Sequence, residues 1–158
     1  MPQLSRTADF DIEVPDGWTD RTMIAWSAPS SPSQPIPPNI LIAYDKPRVG
    51  EGLAAYVDRQ LKDLSGKAVA FRLDLKRDVT LSGRPAVEVV FCWDNNGTIL
   101  KQRQLYSILS GGRVVSIVNT AREADFAAAE PQFLAILDSF AWNGPGGAAA
   151  PDEAAGSA

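Results

Sequence analysis

The side chains that carry most enzyme chemistry are scarce in this chain of 158 residues, which has no histidine and a single cysteine, Cys92. Without imidazole there is no His-based triad and no ordinary zinc cluster, and a lone cysteine forms no internal disulfide. Cys92 could serve as a nucleophile only if a helix terminus or a nearby Lys or Arg activated it. The plainer reading is a small, inert, half-buried thiol. Asp9, Asp11 and Glu13 put three carboxylates on one strand face, an arrangement able to do acid and base work or to hold a hard cation. Alternation of this kind is also the ordinary wet side of an antiparallel sheet, which is the expectation here. Asp94-Asn95-Asn96-Gly97 lacks the spaced acidic ligands of a calcium loop and reads as a turn. Gly50, Gly52, Gly111 and Gly112 belong to no phosphate-cradling pattern. Lys101, Arg103, Arg113 and Arg122 are diluted by acids, and 15 Lys and Arg against 19 Asp and Glu leave a net charge of -4. Nucleic acid is therefore not an expected partner. No catalytic residue, metal ligand or cofactor is expected, and the chain is read as a non-enzyme.

The elements that would position a site are legible from periodicity. The length suits one domain with one core. Phe10, Ile12 and Val14 alternate with acids as a strand with one buried face, and Pro15-Asp16-Gly17 turns the chain. Thr19 to Ser27 reads as a second strand. Five prolines between Pro29 and Pro38 exclude a helix or an interior strand there. Asn39 to Asp45 is a third strand, with Ile40, Ile42 and Tyr44 on one side and Asn39, Leu41 and Ala43 on the other. Leu53 to Leu64 carries the spacing of an amphipathic helix, stopped by Ser65-Gly66. Strands follow around Phe71 to Leu75 and from Arg84 to Trp93, the latter with Val87, Val89, Phe91 and Trp93 on one face. Asn96-Gly97 predicts a tight hairpin into Ile99 to Ser110, and Gly111-Gly112 a turn into Val114 to Thr120. Ala121 to Phe140 places Phe126, Phe133, Leu134, Leu137 and Phe140 on one helical stripe, which Pro131 should split into two helices. Residues 143–158, rich in Gly, Ala and Pro, read as a disordered tail after a domain at 1–142.

The fold class expected is α+β, an antiparallel sheet of about six to seven strands with flanking helices, largely on one side. The open face would mix Asn39, Leu41 and Ala43 with Gln102 and Gln104, a plausible binding platform or an ordinary wetted sheet surface. No stretch reaches the roughly 18 apolar residues of a bilayer span. The first residues also lack a signal peptide's apolar run, so a cytoplasmic address without direct membrane insertion is expected. A chain trimmed of a leader would look the same.

A family resemblance rests on Phe10-x-Ile12-x-Val14-Pro15-x-Gly17-Trp18-x-Asp20-x-Thr22, Asn39-Ile40, Leu81-x-Gly83-x-Pro85-Ala86, Gln102-Arg103-Gln104 and Ser139-Phe140. Over about residues 8 to 142 the chain resembles the DcrB-related proteins, of PsbP-like fold. Among these it is most similar to the Eag chaperones of type VI secretion, homodimers that hold hydrophobic N-terminal transmembrane segments of effectors in the cytoplasm. The resemblance implies a partner-binding face made by Met23, Ala25, Asn39, Leu41, Ala43, Gln102 and Gln104. The alternative it leaves open is a DcrB-like envelope factor in the periplasm.

Overall fold

Two-residue turns join three of the six strands of the main sheet. The computed structural model describes residues 3–6 and 9–143. In it β5 (Val69–Leu81), β6 (Arg84–Asn95), β7 (Thr98–Ile108) and β8 (Val114–Arg122) form an antiparallel meander. At its first two hairpin tips Ser82 and Gly83, then Asn96 and Gly97, all have positive φ. That is the backbone of a type I′ turn, whose twist matches that of the flanking strands. The Asp94 carboxylate accepts the Gly97 N–H at 2.7 Å and closes the second turn. Register shifts between Val69 and Arg72 and between Leu73 and Leu75 bend β5 against β6.

The sheet is completed from earlier in the chain. β3 (Met23–Ser27) and β4 (Asn39–Asp45) pair as a hairpin, and β4 adds to β8, giving the order β3-β4-β8-β7-β6-β5. The β4 boundaries and two faces are those expected. β3 is shorter than its sequence pattern, because Asp20 caps a turn at Thr22 (N–H to carboxylate 2.9 Å) before pairing begins. The proline-rich connection is neither helix nor interior strand: Ala28 N–H donates to the Pro38 carbonyl at 2.8 Å, and the Arg122 guanidinium to the Ser33 carbonyl at 2.8 Å.

β2 (Asp11–Val14) departs from expectation. It pairs only with β1 (Gln3–Arg6), in a separate two-stranded sheet, and Phe10 and Ile12 are 58% and 49% exposed rather than lining a buried face. Alternation shows that a strand has two different sides. It does not say that either side meets the main core.

Helix α1 (Leu53–Lys67) lies between β4 and β5 in the chain and runs through Ser65-Gly66, since one glycine in a last turn costs less than the hydrogen bond it would forfeit. Arg59 and Glu51 hydrogen bond at 2.8 Å across its first turns, which holds the Glu51 carboxyl at about 2. Helix α2 (Glu123–Asp138) is continuous through Pro131, so the expected break is absent. The exposed proline sits on the solvent side, where a carbonyl that loses its N–H partner can turn to water. Phe126, Ala129 and Phe133 are buried and Leu137 and Phe140 partly so, but Leu134 is 43% exposed and lies off the stripe.

The helices lie on opposite faces of the sheet, not largely on one. Tyr56 and Val57 of α1 pack with Val87, Val89, Phe91 and Tyr106. Leu137 of α2, followed by Phe140 and Trp142, packs with Ile40, Ala86, Leu105 and Ile117, the alternate residues of the same strands. Residues from 144 onward, where the tail was expected, lie outside those described.

Candidate partner-binding face

Residues paired directly across antiparallel strands point to the same side, so register alone assembles the face. Met23 pairs with Ala43 and Ala25 with Leu41; on the other flank of β4, Asn39 pairs with Thr120, Leu41 with Val118 and Ala43 with Ser116. β7 continues the rows, Gln102 opposite Thr120 and Gln104 opposite Val118. All seven residues singled out from the sequence therefore stand on one face, the α1 side. Sequence reasoning passed over Ser116, Val118 and Thr120, the middle row that joins β4 to β7. Their period-2 spacing within Val114 to Thr120 was the available signal.

Helix α1 packs over β5, β6 and β7 on this face, leaving a trough floored by β4, β8 and β7 with β3 as its outer rim. Met23 on the rim is 60% exposed, whereas Val118, Gln104 and Thr120 on the floor are nearly buried. A cavity of about 560 Å³ opens at one end, between the last turn of α1 and the β6–β7 hairpin, lined by Leu64, Phe91, Trp93 and Gln102. A second, of about 630 Å³, opens at the other end beside Trp18, Met23, Ala43, Tyr56 and Ser116. Charge is confined to the ends of the β3, β4, β7 and β8 rows. Asp45 accepts the Tyr56 hydroxyl at 2.7 Å, and Arg122 is tied to Asp125 and Ser33.

The polar floor is organised. The Tyr106 hydroxyl donates to the Gln104 carbonyl oxygen, Gln104 Nε2 donates to Gln102 Oε1 at 2.9 Å, and Gln102 Nε2 donates to Thr120 Oγ1 at 2.9 Å. Burial pushes the Tyr106 phenol well up, so it stays a donor across the physiological range. Tyr56 and Tyr106 meet edge to face, ring centroids 6.0 Å apart. Arg103, between the two glutamines in sequence, points to the opposite face. There its Nε lies 3.1 Å from Glu88, and its guanidinium carbon lies 5.5 Å from the Phe126 ring centre. The Gln-Arg-Gln motif thus serves two layers at once.

Groups with chemical potential lie elsewhere. Cys92 is buried on the α2 side, 3.2 Å from Arg72 Nη2, 3.5 Å from Glu123 and 3.6 Å from Asp74. Among the described residues no cluster of His, Cys, Asp or Glu could hold a metal ion, and no helix is long and apolar enough to cross a membrane.

Comparison with known proteins follows the same outline. A profile of the family described as DcrB matches residues 10–139. Over 137 residues the chain is 29% identical to Effector EagT6 of Pseudomonas aeruginosa, covering 86% of this chain and 93% of that one. The crystal structure of PA94, a Pseudomonas aeruginosa protein of unknown function, matches with a TM-score of 0.75 at 24% identity, over 91% of this chain and 99% of that one. LpqN, involved in cell envelope biogenesis of Mycobacterium tuberculosis, matches with a TM-score of 0.57 at 16% identity, over 88% and 82%. The two structures share the fold.

Proposed function

The chain belongs to the DcrB family, and from that premise we propose that it is a non-enzymatic holder of apolar helical segments. More specifically, it is an Eag-like chaperone that keeps hydrophobic N-terminal transmembrane segments of type VI secretion effectors in the cytoplasm before export. The similarity to Effector EagT6 supports the class of partner. The observation that carries the reading is the trough itself, where Met23, Ala25, Leu41, Ala43 and Val118 meet in register beside the amide row, with charge only at the ends. A helix of roughly 20 apolar residues aggregates in water, and covering it takes a pre-formed apolar surface rather than a reaction. Small side chains at Ala25 and Ala43 let a helix backbone approach closely, while amides satisfy its polar spots.

The unit that does this is the domain at residues 1–142, working as a homodimer. The edge strand β3 supports pairing with a second copy: on the side away from the trough it exposes Ile24 and Trp26, a combination that monomers rarely leave bare.

Co-expression with secreted proteins that carry an apolar N-terminus tests the reading. Such a segment should co-purify with the chain, and Leu41→Asp should cut retention roughly tenfold or more, because the docked helix would bury a carboxylate without a partner. Ala25→Glu, on the exposed rim, should do the same while leaving the circular dichroism spectrum unchanged. Failure of every apolar segment to co-purify overturns the proposal.

A further inference from the structure

The hydrogen bonds of the trough floor all run one way. Tyr106 donates to Gln104, Gln104 to Gln102 and Gln102 to Thr120, so each amide oxygen already accepts a proton. Each amide nitrogen, in contrast, has a second proton, and the Thr120 hydroxyl keeps its own. Among the described residues none of these three protons meets an acceptor. While the trough is wet, water takes them. Once an apolar helix lies over it they are cut off from water, and an orphaned N–H is the rarer and costlier defect than a carbonyl with a spare lone pair. The dry complex therefore needs acceptors from the occupant, in the stretch that crosses β7 and β8.

An apolar helix has few to give. Its side chains offer none, and its carbonyls are engaged in the helix's own ladder unless something opens it. A proline does so: lacking an N–H, it releases the carbonyl four residues before it, and in membrane segments such carbonyls are satisfied by polar neighbours. We propose that the Gln104–Gln102–Thr120 row selects, among apolar helices, those that present an open backbone carbonyl to it, as at a proline kink. This selection rests on the holding role proposed above and adds to it a specificity set by donors rather than by greasiness. The row itself matters, because an amide free of it could turn its oxygen outward and accept instead. Tyr106, buried beneath the first glutamine, anchors that amide to the row, and in either sense of the row each amide keeps one unpartnered proton.

Two segments of about 20 Leu and Ala residues, one with a central proline and one with alanine there, would be fused to the N-terminus of a soluble carrier and each co-expressed with the full chain. The quantity read is the ratio of carrier retained. The proline segment should be held about fivefold better, the worth of one good hydrogen bond. The double variant Gln102→Leu/Thr120→Val and the triple variant that adds Gln104→Leu should each bring the ratio toward one, whereas a single substitution only frees the proton its neighbour had donated. Circular dichroism would check that both fold. Equal retention of the two segments by the wild-type chain overturns the selection and leaves the holding role standing. So does a ratio that persists in both folded variants. Retention of neither segment overturns the holding role and the selection with it.

Discussion

Cys92 shows how far residue type alone carries. The absence of histidine already left the thiol without a base, and its surroundings complete the case: burial, together with the Asp74 carboxylate, pushes it up to about 11. Arg72 pulls the other way but is itself engaged by Asp74 and Glu123. At pH 8 the native thiol should react with an alkylating or disulfide reagent roughly a hundredfold or more slowly than in the urea-unfolded chain, followed by absorbance. Cys92→Ser should leave retention of an apolar segment unchanged. Fast native labelling, or lost retention, would reinstate a chemical role. The carboxylates of β2 received the right reading for an incomplete reason. They lie on an exposed strand, but Phe10 and Ile12 beside them are exposed as well, and no rule of alternation could have shown it.

At the scale of elements, turns were the most legible features and helix ends the least. Asn96-Gly97 announces its hairpin because few residue pairs accept two consecutive positive φ angles. Gly97 has φ +92, so Gly97→Ala should cost about 1 kcal/mol in denaturant unfolding although a Cβ would meet no atom within 4 Å. Gly66 is the counter-example. It stands in the last turn of α1 with open space around it and no positive φ, and Gly66→Ala should stabilise by about 0.5–1 kcal/mol. If the two substitutions shift the unfolding midpoint in the same direction, the local backbone account fails. Local signals also misjudged α2. Pro131 carries a real cost within a helix, but Phe126 and Phe133 on either side of it are buried on the sheet, and that packing holds the helix together. Propensity is a small term where an apolar face is being buried.

The whole molecule is a local meander to which a distant hairpin has been added. β5 to β8 close by short turns, whereas β4 reaches β8 only after α1 and the entire meander have intervened. Loop closure should make that junction late in folding. In chevron analysis Val89→Ala, in the meander, should give a substantial φ-value and Ile40→Val, at the β4–β8 junction, one near zero; the reverse ranking would refute this order. The same late junction assembles the trough, since Leu41 and Val118 become neighbours only there. Sequence by itself determined the three strands from β6 to β8, the two faces of β4, the α+β class and the lack of any imidazole, while β5 runs well beyond the Phe71 to Leu75 stretch that its alternation marks. These depend on residue type and on periods of two and 3.6, which are properties of short stretches. Tertiary structure alone decided that the helices take opposite faces, that β1 and β2 stand apart, that α1 walls the trough, and that Tyr106, the two glutamines and Thr120 join in one row. Each of these is a meeting of segments far apart in the chain, and it is settled by which apolar surfaces can be buried together at once, a quantity no local pattern contains.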